Sequence, residues 1–181
     1  MHRIAALVLA IVAVVAVVGV VGIRRVSAHL AHGVSAPRFR LAAARGGDVE
    51  TVDLAEALAK GPVVLYFFPK SFTAGCTVEA HMFSEHVAEY AKLGATLIGV
   101  SGDDIETQKR FSTEVCRSAF LVASDPELKT AKAYDAFLAG SYANRTSYVI
   151  APDGTISYAY TSLDPAKHVE NTLAALRALK R

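Results

Sequence analysis

The chain has 181 residues and a formal net charge of +2, from 19 Lys and Arg against 17 Asp and Glu. Without Arg3, Arg24 and Arg25 the 19 basic residues fall to 16, one fewer than the acidic ones, and no basic stripe or polybasic tail argues for a nucleic-acid partner. The two cysteines exclude a disulfide-dense scaffold and a cysteine-rich zinc site, but they are compatible with one redox pair.

The N-terminal segment, residues 1–25, is dominated by the uncharged run Ile4–Ile23, which is about as long as a membrane-spanning helix. A cleaved secretory signal peptide is the alternative, with Arg3 at its basic end and cleavage near Val26-Ser27-Ala28. Signal peptides usually have apolar regions of only about 7–15 residues, and here Arg24 and Arg25 precede the cleavage site. We therefore predict an uncleaved membrane anchor, with the cleaved secreted form as the alternative.

Basic residues lie on both sides of this run in nearly equal number, so the positive-inside rule gives only a weak preference for one orientation in the membrane. The signal-like layout favours export, which predicts that the catalytic domain lies on the extracytoplasmic, periplasmic side of the membrane. Residues 26–36 are predicted to be a short linker, because they are mostly small and polar. The folded domain is expected to cover residues 37–181.

Strands and helices are predicted to alternate through this domain. Two short strands are expected around Gly46-Gly47-Asp48, followed by a helix from Leu54 to Lys60 that ends at Gly61-Pro62. The apolar runs Val63–Phe68, Ala95–Val100 and Ala119–Ala123 predict buried strands.

Three more helices are predicted: one from Cys76 to about Lys92, one capped by Asp103 or Asp104 and running through Val115, and one over Pro126–Tyr134. A hairpin of Ser147–Ile150 with Thr155–Tyr160 is expected to follow them. The last predicted element is a C-terminal helix that buries Val169, Leu173 and Leu176. Strands that alternate with helices, followed by a hairpin and a last helix, favour an α/β fold with a mixed sheet and helices on both faces.

The most informative stretch runs from Pro69 to Cys76, directly after the apolar strand Val63–Phe68. A turn here, followed by a helical pattern, would put Cys76 at or near a helix N-terminus. The helix dipole and the unpaired backbone N–H groups favour a thiolate at such a position, and a thiolate is a nucleophile.

The spacing of Pro69, Thr73 and Cys76, Pro-x-x-x-Thr-x-x-Cys, resembles the active-site motif of the peroxiredoxins. Val-Val-Leu-Tyr-Phe-Phe-Pro-Lys at residues 63–70 and Gly-Cys-Thr-Val-Glu-Ala at residues 75–80 are most similar to the Q-type, or bacterioferritin-comigratory, subfamily. The resemblance covers roughly residues 36–180. It implies a thioredoxin-like fold and a thiol peroxidase activity. Together with the apolar run Ile4–Ile23, the predicted architecture is a thioredoxin-like domain preceded by one transmembrane helix.

The resemblance also implies a role for each residue of the motif. Cys76 would attack the peroxide, the Thr73 hydroxyl would hydrogen-bond the thiolate and the peroxide, and Pro69 would shield the site. Arg145, which directly precedes a predicted strand, is the best match for the arginine of the family, and its permanent planar charge suits a thiolate and a peroxide. Taken singly, each of these residues has an ordinary structural interpretation; their joint spacing favours the catalytic one.

The sequence pattern leaves two alternatives for the resolving cysteine. Many Q-type relatives have it five residues after the attacking cysteine, but His81 occupies that position here. Cys116 could instead resolve the Cys76 sulfenic acid through an intramolecular disulfide, or the enzyme could use one cysteine with Cys116 structural. The polar surroundings of Cys116, with Arg117 next to it, suggest partial exposure and favour the first alternative.

The sequence thus predicts a peroxidase that reduces hydrogen peroxide and organic hydroperoxides and is recycled by thioredoxin or a similar dithiol. It would need no metal or other cofactor, and the resemblance suggests a monomer or weak dimer. The alternative is a membrane-tethered thioredoxin-like thiol-disulfide oxidoreductase, a class that normally needs Cys-x-x-Cys, whereas Thr73 occupies the first position here. Glu79 is expected either to hydrogen-bond within the site or to be a first-turn acid favoured by the helix dipole.

Overall fold

The structure is a computed structural model, which describes residues 29–140 and 142–179. Its strands are β1 (Arg40–Arg45), β2 (Asp48–Asp53), β3 (Val63–Phe67), β4 (Thr96–Ser101), β5 (Leu121–Ser124), β6 (Phe137–Ala139), β7 (Tyr142–Ala143), β8 (Thr146–Ile150) and β9 (Ile156–Thr161). Its helices are α1 (Leu54–Leu58), α2 (Ala74–Glu85), α3 (Val87–Lys92), α4 (Ile105–Glu114), α5 (Lys129–Ala133) and α6 (His168–Leu179), with a 3-10 turn at Pro165–Lys167.

Seven strands form one mixed sheet in the order β2-β1-β5-β4-β3-β8-β9. The central strands β3, β4 and β5 are parallel, and β1 and β8 pair antiparallel to this group on its two sides. The edge strands β2 and β9 pair antiparallel to β1 and β8. Strands β6 and β7 form a separate small hairpin. This arrangement confirms the predicted thioredoxin-like α/β fold with a mixed sheet.

Strand β3 is buried on both faces of the sheet, so its alternate residues enter two different cores. Leu65 and the residues two positions to either side of it face the core that includes α1 and α5. Tyr66 faces the second core, which is built with side chains from α2, α3, α4 and α6. Cys76 and Cys116 both belong to this second core. The two cysteines therefore lie on the same side of the sheet.

Tyr66 in the second core depends on a glycine in the neighbouring strand. Tyr66 pairs directly with Gly99 of β4, and a Cβ at position 99 would lie 2.8 Å from the Tyr66 ring and hydroxyl. The ring stacks on Phe83 of α2 at 4.3 Å and on Phe68 at 5.5 Å. Gly99 thus leaves room for the aromatic layer on which α2, the helix that carries Cys76, is packed.

Two predicted helices differ in detail from the observed ones. The helix after Cys76 is interrupted at His86, which has φ −102° and ψ 5° and separates α2 from α3. The helix predicted over Pro126–Tyr134 is only Lys129–Ala133, because Leu128 before it has a left-handed φ of 53°. Asp104 caps α4 by accepting from the Thr107 amide at 2.7 Å.

The described part of the predicted linker is hydrogen-bonded to the β8–β9 hairpin. The Gly33 amide donates to the Ile156 carbonyl at 2.8 Å, and the Ile156 amide donates to the Val34 carbonyl at 2.9 Å. The Ala36 amide donates to the Gly154 carbonyl at 2.8 Å. Residues 33–36 therefore have fixed positions against the domain.

The predicted membrane-spanning segment Ile4–Ile23 lies outside the described residues. Within residues 29–140 and 142–179, no helix has both the length and the apolar character needed to cross a membrane. The longest, α2 and α6, have 12 residues each, and about 20 residues are needed to cross the hydrocarbon core. The structure therefore corrects the predicted fold class: it supports the thioredoxin-like domain and does not support the added transmembrane helix.

Replacing Gly99 with alanine tests the close contact with Tyr66. The added methyl group would overlap the ring, so we expect Gly99→Ala to lower the free energy of unfolding by about 2 kcal/mol in urea denaturation. A variant as stable as wild type would show that Tyr66 can move away at little cost.

Tyr66→Phe is the matched control for that substitution. The Tyr66 hydroxyl is buried and has no hydrogen-bond partner among the described residues, so removing it breaks no hydrogen bond. We expect Tyr66→Phe to keep or slightly raise the free energy of unfolding in the same measurement.

Candidate active site

The loop from Pro69 to Thr73 is tied to the start of α4 by a buried polar network. The Ser71 amide donates to Asp103 Oδ2 at 2.7 Å, and the Ser71 hydroxyl donates to Gln108 Oε1 at 3.0 Å. The Ser101 hydroxyl donates to the same Asp103 oxygen at 2.7 Å. Asp103, one of the two predicted caps of α4, is therefore used to hold this loop.

The chain turns into α2 through Phe72, which has a left-handed φ of 63°. This conformation is unfavourable for a residue with a side chain. The Phe72 ring packs edge-on against Phe111 at 5.2 Å, and the Arg110 guanidinium lies 5.4 Å from its centre. Contacts with α4 thus hold the turn in its strained form.

Cys76 is the third residue of α2 and is almost fully buried, with 2% of its surface exposed. Thr73 is the N-cap residue, and its side chain makes no capping hydrogen bond. Its hydroxyl instead donates to the Lys70 carbonyl at 3.0 Å. Pro69, half-buried, links β3 to this loop. The predicted roles of Thr73 and Pro69 at the peroxide remain predictions.

Arg145 brings three separate parts of the chain together at Cys76. Its Nη2 donates to Cys76 Sγ at 3.3 Å, its Nη1 forms an ion pair with Glu79 Oε2, and its Nε donates to the Leu163 carbonyl at 3.0 Å. The side chain is buried, and it reaches the sulfur from the segment just before β8. The structure thus brings together Cys76 and Arg145, the two residues that the resemblance to the peroxiredoxins pairs.

Gly75 provides the space for this contact, since a Cβ at position 75 would lie 3.1 Å from Arg145 Nη2. Burial raises the pKa of Glu79 to about 8, while the Arg145 charge acts in the opposite direction. Burial tends to lower the pKa of Arg145, but Glu79 and Cys76 raise it by more, so the guanidinium stays charged. The site therefore combines one permanent cation with a carboxyl group and a thiol.

Glu79 is more important than the sequence pattern indicated. Its spacing could have indicated this contact: Glu79 lies three residues after Cys76 on the same face of α2, so both side chains contact Arg145. The sequence pattern assigned no role to His168, because the histidines are scattered and show no ligand spacing. It is fully buried at the start of α6, with Nδ1 2.8 Å from the Ser147 hydroxyl and 3.7 Å from Glu79 Oε1. Its place before the apolar positions of α6 was the available signal.

Cys116 follows α4, and both of the cysteines in the chain are free thiols. The expectation of partial exposure is wrong, because Cys116 is fully buried. Burial raises the pKa of its thiol, whereas a neighbouring cation such as Arg117 would lower the pKa of an exposed thiol. Arg117 and Ser118 are exposed and have left-handed φ values of 53° and 58°.

The described residues offer no metal centre. Across residues 29–140 and 142–179, no cluster of three or more His, Cys, Asp or Glu side chains could hold a metal ion. The groups that the structure places around the Cys76 thiol are the Arg145 guanidinium and, behind it, the Glu79 carboxyl and the His168 imidazole.

Comparison with known proteins identifies the family. The model of the AhpC/TSA family matches residues 32–159. The chain belongs to the AhpC/TSA family. It is 35% identical over 159 residues to peroxiredoxin Q of Oryza sativa subsp. japonica, covering 86% of this chain and 71% of that protein. It is also 35% identical over 157 residues to peroxiredoxin Q of Triticum aestivum, covering 85% and 70%.

Solved structures agree with this assignment. The crystal structure of peroxidoxin BcpB from Mycobacterium tuberculosis has a TM-score of 0.75 and 30% identity, and the match covers 84% of this chain and 100% of that one. Peroxiredoxin Q of Xanthomonas campestris has a TM-score of 0.69 and 28% identity, covering 78% and 92%. The resemblance to Q-type peroxiredoxins is confirmed, and the chain is a thiol-dependent peroxidase.

The predicted location is corrected by two findings. The rice and wheat relatives are named as chloroplastic proteins. No helix among residues 29–140 and 142–179 could cross a membrane. The predicted membrane-anchored, extracytoplasmic location therefore has no support in the relatives or in the described structure.

Replacing Arg145 with lysine tests whether the three-way contact is needed. A lysine ammonium is a point charge and cannot reach Cys76, Glu79 and the Leu163 carbonyl together. We expect Arg145→Lys to slow the reaction of Cys76 with peroxide by about a hundredfold in stopped-flow experiments, the effect typical of a lost transition-state donor.

Arg110→Lys is the matched control, because it makes the same substitution on the exposed face of α4 beside Phe72. It should change the rate less than about threefold, since exposed charges contribute little. Equal losses in both variants would contradict a specific role for the Arg145 guanidinium.

Proposed function

We propose that this peroxidase reduces hydrogen peroxide and organic hydroperoxides through a sulfenic acid on Cys76, which Cys116 resolves and thioredoxin or a similar dithiol recycles. The observation that carries the proposal is the contact of Arg145 Nη2 with Cys76 Sγ at 3.3 Å, in the buried first turn of α2. A permanent cation and a helix N-terminus act on the same sulfur, and both favour the thiolate.

The first step is a displacement at oxygen. The Cys76 thiolate attacks one peroxide oxygen, an S–O bond forms as the O–O bond breaks, and the leaving alkoxide or hydroxide takes up a proton from solvent. Arg145 is proposed to donate to the peroxide oxygens as negative charge moves to the leaving one, and the contact of its Nη2 with Cys76 Sγ at 3.3 Å supports this role. Thr73 and Pro69 line the same loop and are proposed to orient and shield the peroxide.

The second step joins the two sulfurs. The Cys116 thiol attacks the Cys76 sulfenic acid, water leaves, and a disulfide forms. A disulfide needs Cα atoms within about 7 Å. Both thiols are buried, so we propose that the first turn of α2 or the end of α4 opens to bring the two sulfurs together. The left-handed residues Phe72, Arg117 and Ser118 support such an opening, since each adds about 1 kcal/mol of backbone strain beside one of the cysteines.

The third step regenerates both thiols. A dithiol attacks the Cys76–Cys116 disulfide, forms a mixed disulfide and leaves as its own disulfide, so two electrons pass from the dithiol to the peroxide. Thioredoxin or a similar protein is proposed as this dithiol. The opened form of the site is the one that would expose the disulfide to a protein of that size.

A cysteine variant series with a thioredoxin recycling system tests the route. We expect Cys76→Ser to consume no peroxide. We expect Cys116→Ser to keep the first oxidation at the wild-type rate and to lose turnover by at least about a hundredfold, because the sulfenic acid has no internal partner. Mass spectrometry under non-reducing conditions should find an internal Cys76–Cys116 disulfide in wild type after a brief exposure to peroxide.

Other outcomes separate the alternatives. Full turnover of Cys116→Ser would show that an external thiol resolves Cys76 and that Cys116 is structural. Over-oxidised Cys76, or covalent dimers, without an internal disulfide would also contradict resolution by Cys116. Inert behaviour of wild type towards all hydroperoxides would contradict the whole proposal.

A further inference from the structure

The guanidinium of Arg145 depends on an exposed loop for its Nε contact. Nε donates to the Leu163 carbonyl at 3.0 Å, and the Leu163 side chain is 62% exposed. The Ser162 amide donates to the Arg145 carbonyl at 3.2 Å, directly after the last pair of β8 with β9. Surface loops are usually more mobile than the elements that they connect. A contact that fixes this loop would therefore also fix Arg145.

His168 makes such a contact from inside the domain. It is fully buried at the start of α6, and its Nε2 lies 3.0 Å from the Ser162 carbonyl. Its Nδ1 lies 2.8 Å from the Ser147 hydroxyl in β8. Glu79 Oε1 is 3.7 Å from Nδ1, which is beyond hydrogen-bond distance. The imidazole therefore joins β8 to the residue directly before Leu163.

The hydrogen bonds of the ring determine its tautomer. The Ser162 carbonyl can only accept, so Nε2 carries a proton. Burial lowers the pKa of His168 to about 4, and the nearby Arg145 charge acts in the same direction, so the ring is neutral at neutral pH. Nδ1 then accepts from the Ser147 hydroxyl. Tyr160 packs edge-on against the imidazole at 4.8 Å, so hydrogen bonds and packing together fix the orientation of the ring.

We propose that His168 is a positioning residue of the peroxidase site: its Nε2–H holds the Ser162 carbonyl, which keeps the Leu163 carbonyl on Arg145 Nε and the guanidinium directed at the Cys76 sulfur. This inference rests on the proposed role of Cys76 as the attacking thiolate. If the loop moved away, one edge of a buried guanidinium would lose its acceptor, and the side chain would turn towards another one.

Substitutions at position 168 separate the roles of the two ring nitrogens. In His168→Gln the side-chain amide takes the place of Nε2 and keeps a donor for Ser162, whereas in His168→Asn it takes the place of Nδ1 and reaches only Ser147. His168→Leu keeps neither contact. We expect the Leu and Asn variants to slow the oxidation of Cys76 by hydrogen peroxide about tenfold in rapid-quench mass spectrometry, because a small misplacement of the arginine weakens its contact with the transition state. The Gln variant should stay within about threefold of wild type.

A second measurement needs no peroxide. The pH midpoint for alkylation of Cys76 by iodoacetamide reports its thiolate, and peptide mass spectrometry follows this one site while Cys116 stays in place. A guanidinium that turns away from the sulfur stabilises the thiolate less. The midpoint should therefore rise by about 0.5 pH unit in His168→Leu and His168→Asn, and by less than about 0.2 unit in His168→Gln.

A double variant distinguishes positioning from a general loss of stability. A lysine at position 145 cannot reach Cys76 and the Leu163 carbonyl together, so in an Arg145→Lys background His168→Leu should slow the oxidation further by less than about twofold. Thr172→Val is the stability control, because it removes a buried hydrogen bond of 2.7 Å to the Tyr90 hydroxyl one turn further along α6. We expect it to lower the free energy of unfolding in urea and to change the oxidation rate less than about twofold.

Any of three results would overturn the inference: His168→Gln as slow as His168→Leu, His168→Asn as fast as wild type, or a further tenfold loss in the Arg145→Lys background. If His168→Leu does not fold, the Gln and Asn variants still decide, because both keep a polar side chain in the site.

Turnover with the thioredoxin recycling system is measured on the same proteins, all of which retain Cys116. A wild-type protein that consumes no peroxide would refute the proposed function, and the order of the alkylation midpoints would then decide the inference by itself. Normal peroxide consumption with equal midpoints in all the position 168 variants would refute the inference and leave the proposed function standing.

Discussion

The buried guanidinium of Arg145 is the interaction on which the rest of the site depends. An unpaired charge in the second core would cost several kcal/mol, so each edge of the guanidinium needs a partner. Those partners come from α2 and from the segment after β9, while Arg145 itself precedes β8. These elements are far apart in the chain and meet at Arg145 only in the folded domain, so the contacts that satisfy the buried guanidinium also place it at the Cys76 sulfur.

The loop before Cys76 and the helix before Cys116 are also coupled. Ser71 is bound to Asp103 and Gln108, and Phe72 packs on Phe111, so the loop that shapes the first turn of α2 is held by α4. Movement of one end of this assembly therefore strains the other. Such coupling makes a joint opening of both cysteine segments physically reasonable, because the hydrogen bonds and ring packing that hold the loop also order α4.

The sequence predicted the elements with strong local signals and the residues with a distinctive spacing. The three apolar strands and the β8–β9 hairpin follow from patterns that a few neighbouring residues carry, whereas Arg145 follows from the resemblance to the peroxiredoxins. It could not show that Cys116 is buried, because the polar residues around it turn outward through two left-handed positions. Nor could it pair Glu79 with His168, because these residues are far apart in the chain and meet only through tertiary packing.

The burial of Cys116 supports the order of the proposed steps, in which Cys76 is oxidised before Cys116 reacts. A thiol with a pKa raised by burial stays protonated, so in the closed form it neither reacts with peroxide nor attacks Cys76. The proposed opening would return this thiol to water, where its thiolate population would rise when the Cys76 sulfenic acid needs a partner. The same burial that hides this cysteine from sequence analysis would protect it from oxidation, and it would make disulfide formation follow the oxidation of Cys76 rather than compete with it.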